Sequence, residues 1–251
     1  MMILASTKPE GFLNQMWWIF EENWPLFWYG VKVTILLAIV GTLAGYVIGL
    51  ILGGIRSIKV EKQDSVAVKF FKRILHLFVK FYVWIFRGTP MMVQAFVIYY
   101  GLRDIMNWTP LVAGMFIISI NTGSYMAEIV RSGIQSIDKG QYEAARSIGM
   151  TSTQTLFHII LPQAVRNSFP SIGNQLIVNI KDSSMLNVIS VTDLYFQTSS
   201  VAGGVYLFAQ TFMVSAIIYL ILTTLASKLL AIIEQKLDTT KKGSASTLDF
   251  V

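Results

Sequence analysis

Hydrophobic positions run in long blocks along this chain rather than alternating. No charged residue falls between Val33 and Ile55, between Leu111 and Ala127, or between Leu194 and Ser227. A helix needs roughly 20 apolar residues to cross a bilayer core, so each block predicts a membrane-spanning helix. Two further spans are weaker, because each carries polar residues. The pattern places five helices at about 30–55, 81–102, 110–131, 167–192 and 205–230, in an all-α polytopic membrane protein. Ahead of the first span, Trp17, Trp18, Phe20, Trp24, Phe27 and Trp28 read as an aromatic belt at the membrane interface.

Within the blocks, smaller periodicities add detail. Gly41, Gly45, Gly49 and Gly53 recur every four residues and form a smooth helical face, which predicts a packing seam for another helix. Lys69, Lys72, Arg73, His76 and Lys80 repeat at three and four residues, opposite Phe70, Phe71, Ile74, Leu75 and Phe78. That predicts an amphipathic helix lying at the interface and feeding the second span. No half of the chain repeats the other, so a two-fold symmetric pathway requires a second subunit.

Charge orients the spans. Basic residues concentrate in three clusters: Arg56 to Arg73, Arg131 to Arg166, and Lys228 to Lys242. By the positive-inside rule these segments are cytoplasmic, which puts the N-terminus outside and the C-terminus inside. The organisation expected is an outer interfacial segment over 1–27, a transmembrane domain over 28–235 and a cytoplasmic tail over 236–251. The first 27 residues, with Glu10, Glu21 and Glu22, lack the basic start and short apolar core of a cleavable signal peptide. Of 251 residues, 54% are hydrophobic and 14% are charged, so the net charge of +6 reflects topology on a lipid bilayer and not nucleic-acid binding. With no cysteine and two histidines, His76 and His158, a thiol nucleophile is excluded and no metal site is expected.

Charged groups inside a bilayer cost on the order of 3 kcal/mol each, so Arg87, Glu128, Lys181 and Asp182 are functional candidates. In the run Arg87-Gly88-Thr89-Pro90, Thr89 reads as a helix cap and Pro90 as a first helical residue. The second span is then two half-helices meeting at Gly88, whose free N–H groups beside Arg87 suit a carboxylate. Equally, Arg87 can pair with Asp182 or Glu128 and tie spans together. Asn121, Ser124, Tyr125 and Glu128 form one polar stripe, and the polar fourth span, from Asn174 to Asn187, must line a cavity or a helix interface. Glu128 stands one turn before Arg131, a natural ion pair.

The long segment 140–162 carries Glu143, Ala144, Ala145, then Gly149, then Ile159, Leu161 and Pro162. Alanines favour helix, Gly149 breaks it, and Leu161-Pro162 ends a second short helix before the fourth span. This spacing resembles the EAA loop of ABC-importer permeases at every position. The resemblance covers roughly 30–230 and is nearest to the polar amino-acid uptake permeases of the histidine and glutamine type. Phe86 to Pro90 followed by Gln94, Tyr125-Met126-Ala127-Glu128, Gly140-Gln141 and Lys181-Asp182-Ser183-Ser184 look like that family's recurrent segments. Two mild departures are Gly123-Ser124 where alanines are usual, and Ser183 where threonine is common.

The resemblance implies the type I importer permease architecture in a bacterial cytoplasmic membrane. It also implies two cytoplasmic ATPase subunits, a second permease subunit and an extracytoplasmic solute-binding protein. No Gly-rich phosphate loop ending in Lys-Ser/Thr occurs, so ATP and Mg2+ belong to the partner ATPase, and this chain has no catalytic residue or cofactor of its own. Expected coupling residues are Glu143, Ala144, Ala145, Gly149, Leu161 and Pro162. Expected translocation residues are Arg87, Gly88, Thr89, Gln94, Asn121, Ser124, Tyr125, Asp182, Ser183 and Ser184, with Arg87 and the Thr89/Pro90 half-helix end near an α-carboxylate and Asp182 near the α-ammonium or the side chain. Two alternatives belong to other classes. An ion-coupled carrier using Glu128 and Asp182 would leave 140–162 unexplained, and an intramembrane enzyme lacks any His-Glu-x-x-His pair or Gly-x-Ser-x-Gly elbow.

Overall fold

A computed structural model of the protein describes residues 8–58 and 60–245. Residues 1–7 of the expected outer segment, Lys59 of the first basic cluster and the tail from 246 lie outside the described residues. The described chain is all helical: α1 (Phe12–Ser57), α2 (Val66–Gly88), α3 (Met91–Met106), α4 (Pro110–Gln135), α5 (Lys139–Ser147), α6 (Ser152–Thr155), α7 (Leu161–Asp182), α8 (Leu194–Val205) and α9 (Phe208–Ala245). Three helices, α1, α4 and α9, are long and apolar enough to cross a membrane, and α2 with α3 makes a bent pair.

Helices α1 and α4 form the most extensive pairing in the molecule. The glycine seam explains it: a Cβ on Gly41 would strike Ile118, one on Gly45 would strike Thr122, one on Gly49 would strike Met126, and one on Gly53 would strike Val130. Both partners advance by four residues, so the two helices keep one register over about three turns. At Gly49 an added Cβ would lie 2.2 Å from the Met126 Cβ, so only a hydrogen fits there. Around this axis Leu37, Ile117 and Ile118 pack with Leu186, Ile189 and Val191, while Ile19, Phe27 and Val31 pack with Leu194, Val201 and Val214.

Several boundaries differ from the pattern. Helix α1 has 46 residues, about 69 Å at 1.5 Å each, and runs through Pro25, so the described part of the 1–27 segment is continuous with the first span. Tertiary contact overrides the proline, because Ile19 and Phe27 on either side of it are wholly buried. The aromatic belt divides accordingly: Phe27 joins the core, while Trp17, Trp24 and Trp28 remain exposed. The amphipathic helix expected over 69–80 runs on into the second span as α2, capped by the Ser65 side chain accepting from the Val68 N–H.

The break in the second span is displaced by one residue. Thr89 follows the last residue of α2 and Pro90 occupies the N-cap position of α3, so Thr89 is not the cap and Pro90 is not the first helical residue. The two axes meet at 111°, a far sharper turn than two half-helices in line. Pro162 is also reassigned. It does not end a helix but sits in the first turn of α7, preceded by a π turn over Leu156–Ile160 in which the Leu161 N–H reaches the Leu156 carbonyl. The wider turn adjusts the register ahead of a residue that has no N–H.

The expected fourth span, 167–192, is helix α7 to Asp182, followed by a 3-10 segment over Ser183–Ile189 that stops at left-handed Ser190. The long uncharged block from Leu194 splits into α8 and α9 at Tyr206, which has φ of 56°. Asp193 starts α8 by accepting from the Phe196 N–H at 3.0 Å, and its other oxygen accepts from the buried Ser183 hydroxyl at 3.0 Å.

Candidate functional site

A cavity of about 440 Å³ opens between the end of α2, the second half of α4 and the first half of α7. Arg87, Tyr125, Glu128, Arg131, Asn167 and Gln175 are among its walls. Arg87 arrives on the last turn of α2, and its guanidinium lies over the Tyr125 ring, 5.4 Å from the centroid. Glu128 is the hub of the charges. Its carboxylate accepts from Arg131 Nε at 2.9 Å and Nη2 at 2.8 Å, pairs directly with Arg56 of α1, and stands 4.0 Å from Arg87.

The expected Glu128–Arg131 pair is therefore present, and of the two carboxylates considered as tie partners for Arg87 it is Glu128 that stands near it, at 4.0 Å. Asp182 forms no ion pair with Arg87 and does not line this cavity. Three guanidiniums share one carboxylate, and of them Arg87 and Arg131 line the cavity with Glu128, which leaves an excess of one positive charge on its walls. Arg56 was legible only as one member of a basic cluster. It stands 72 residues from Glu128, and no local spacing could have joined them.

The other expected translocation residues divide by burial. Gln94 is buried, and its two amide N–H groups are shared among the Phe86 carbonyl at 3.0 Å, the Thr89 carbonyl at 2.9 Å and the Thr89 hydroxyl at 2.8 Å. Its own carbonyl accepts from Asn121 Nδ2 at 2.8 Å. These bonds satisfy the backbone groups released where α2 turns into α3, and they clamp that corner against α4. Ser124, wholly buried, donates to the Asn121 carbonyl at 2.7 Å. Gln94, Asn121 and Ser124 therefore hold the corner that delivers Arg87.

Gly88 is exposed with open space where a Cβ would stand, next to the cavity-lining Arg87. Ser183 is sequestered by Asp193, and Ser184 donates to the Lys181 carbonyl at 2.7 Å. Of the polar face of α7, Asn179 goes to a helix interface, bridging Thr42 of α1 and Thr122 of α4 at 2.9 Å each. Gln175 goes to the cavity.

At the far end of α4 the segment expected to couple forms two helices at a bend. Asp138 caps α5 by accepting from the Gly140 N–H. Glu143 and Ala144 face outward while Ala145 packs inward. Gly149, with φ of 88°, makes the turn that returns the chain to α6, where Thr151 and Gln154 form a capping box. Among the described residues, no group of three or more His, Asp or Glu is placed to share a metal ion.

Comparison with known proteins decides what these parts belong to. Residues 65–239 match the family of binding-protein-dependent transport system inner membrane components. This chain belongs to the ABC-importer inner-membrane permeases of the polar amino-acid family. It is similar to a putative glutamine transport system permease protein GlnP of Rickettsia prowazekii, 35% identical over 83% of this chain and 91% of that one. The glutamine transport system permease protein GlnP of Escherichia coli K12 is 34% identical over 85% and 93% of the two chains. The probable amino-acid permease protein YxeN of Bacillus subtilis is 33% identical over 89% and 96%.

Among solved structures, an amino acid ABC transporter with histidines superposes with a TM-score of 0.76 at 33% identity, over 91% of this chain and 99% of that one. The MetNI methionine ABC transporter in an inward-facing form has a TM-score of 0.70 at 22% identity, which shows a shared fold. The chain is thus a multi-pass permease of the cytoplasmic membrane with the type I importer fold, and a member of an ABC transporter complex. It is a transport subunit and not the catalytic one, so both the secondary-carrier and the enzyme alternatives fall away.

Proposed function

We propose that this permease translocates a polar amino acid, with glutamine or histidine the first candidates, handed to it by an extracytoplasmic solute-binding protein. It works as one of two permease subunits on two cytoplasmic ATPase subunits, which alone hold ATP and Mg2+. Five spans, an external N-terminus and a cytoplasmic C-terminus fit the basic clusters and place α5 and α6 on the ATPase side. Outward-facing Glu143 and Ala144 suit docking in a groove, where the small alanine admits close approach and the carboxylate meets a basic side chain. Closure of the ATPases then moves α5, α6 and α7 together, because the π turn joins α6 to α7 without a loop.

The observation that carries the substrate reading is the charge imbalance at the cavity. Arg56, Arg87 and Arg131 surround the single carboxylate of Glu128, and Arg87, the most distant of the three at 4.0 Å, is also the most exposed. A guanidinium held over a tyrosine ring beside a polar cavity is preorganised for a carboxylate, and the amino acid's α-carboxylate supplies one. Gly88 and Thr89 are the backbone next to it, and Tyr125 is its platform.

The test is substrate-stimulated ATPase activity and uptake by the reconstituted complex, scanned over amino acids with and without the binding protein. Arg87→Ala is expected to lower uptake about tenfold to a hundredfold, the loss typical of removing one hydrogen bond to a charged group. The ATPase subunits are expected to remain bound. Uptake unchanged in Arg87→Ala would remove the assignment of the carboxylate site.

A further inference from the structure

The segment between α1 and α2 makes an unexpected connection to the coupling elements. The Ser152 hydroxyl, at the start of α6, donates to Glu61 Oε1, across 91 residues of sequence. Because a hydroxyl has one proton, the Tyr142 hydroxyl of α5 must be the donor in its 2.7 Å contact with Ser152 Oγ. A single chain of hydrogen bonds therefore runs from α5 through α6 to Glu61.

Glu61 is in turn knit to the start of α2. Its N–H donates to Asp64 Oδ2 at 2.8 Å, and the same carboxylate oxygen receives Lys72 of α2 at 2.7 Å. Lys69, one turn earlier in α2, donates to the Lys62 carbonyl at 2.7 Å. Helix α2 packs on α1 and α4 but has no extended packing against α5 or α6. The polar chain through Glu61 is thus the direct tie between the coupling elements and α2, whose opposite end, 23 residues on, presents Arg87 to the cavity.

We propose that Glu61 is a positioning residue that transmits displacement of α5 and α6 to α2, and so to Arg87. A helix transmits an axial push along about 35 Å with little loss, since its backbone bonds are intact. The tie is formed by a charged acceptor and a neutral hydroxyl, a class of bond shorter and stronger than a neutral pair. This inference rests on the reading of α5 and α6 as the ATPase-docking elements.

The experiment compares Glu61→Ala, Glu61→Gln, Ser152→Ala and the double variant Glu61→Ala/Ser152→Ala in the reconstituted complex, measuring uptake and ATP hydrolysis together. Each alanine variant is expected to keep its ATPase subunits and its basal hydrolysis while uptake per ATP falls about tenfold, the factor of one charge-assisted hydrogen bond. The double variant is expected to be no worse than either single one, and Glu61→Gln, which keeps a neutral acceptor oxygen for Ser152, to recover about threefold of the tenfold loss. A wild-type uptake-to-ATP ratio in Glu61→Ala, additive losses in the double variant, or failure of Glu61→Gln to recover would overturn the proposal. So would loss of the ATPase subunits from Glu61→Ala, because a positioning bond leaves docking intact. Failure of the docking reading shows separately: Ala144→Trp would then retain its ATPase subunits.

Discussion

Replacing Gly49 by alanine probes a close approach of α1 to α4. The added Cβ would stand 2.2 Å from Met126 Cβ, 2.7 Å from the Met126 carbonyl carbon and 2.9 Å from the Ala127 nitrogen. Carbon atoms rest at about 3.5–4.0 Å, so α1 and α4 must part by about 1.3 Å or more at this level. None of the three atoms is the end of a flexible side chain, so nothing can swing away. Parting the helices also loosens the contacts at Gly45 and Gly53, one turn to either side, and dispersion weakens by a quarter to a half over such a gap. Inserting one methyl group into a well-packed interface costs about 1–3 kcal/mol, and here packing is the force that holds helices together in lipid.

Gly54 is the internal control, because a Cβ there meets nothing within 4 Å. Alanine at 54 is expected to be neutral or to stabilise by up to about 1 kcal/mol through helix propensity. Unfolding of the purified permease in mixed micelles, followed by circular dichroism against increasing SDS, reads both variants. Met126→Ala should not rescue Gly49→Ala, since the clash is with Cβ and backbone. A Gly49→Ala protein as stable as Gly54→Ala would refute the seam.

Gln94→Leu keeps the volume of the side chain but strands the Thr89 carbonyl and leaves the Phe86 carbonyl and the Asn121 amide only their long 3.4 Å bond to each other, and is expected to destabilise by about 2 kcal/mol in the same assay. Adding Asn121→Leu should then cost little, because the two side chains act as one unit, and full additivity would argue against the clamp. At the start of α2, the hydrogen bond from Lys72 to Asp64, aided by the Glu61 N–H and the charges of Lys72 and Lys69, holds the Asp64 carboxyl below its ordinary range. A depressed carboxylate contributes stability that is present above its unfolded value and lost as pH falls through its folded one. Amide protection in the first turns of α2, taken relative to the intrinsic exchange rate at each pH, should therefore fall as the pH drops below about 4, and Asp64→Asn should flatten that dependence. An unaltered acid limb in Asp64→Asn would remove the role given to the carboxylate.

Local pattern carried the permease far. The uncharged blocks located α1, α4 and α9, the glycine spacing located the α1 face that meets α4, and Glu143 to Pro162 located the short helices α5 and α6, because each is a pattern of nearby residues. Boundaries failed where a distant contact outweighed a local signal. Pro25 passes inside α1 because Ile19 and Phe27 are locked against α8 and α9, and Pro162 begins a helix because a π turn precedes it. The polar residues of the spans marked expensive positions without saying which partner satisfied each.

That assignment was left to tertiary structure. Gln94 and Asn121 became the clamp of the α2–α3 corner, Asn179 bridged Thr42 and Thr122, and Ser183 went to Asp193. Arg87, Tyr125 and Glu128, with Gln175 of α7, were left facing the cavity. Burial in a bilayer obliges every polar group to find a partner, and this obligation is written in the residue itself. Which partner it finds depends on helix register across intervals such as the 72 residues from Arg56 to Glu128, or the 91 from Glu61 to Ser152, which no local spacing encodes.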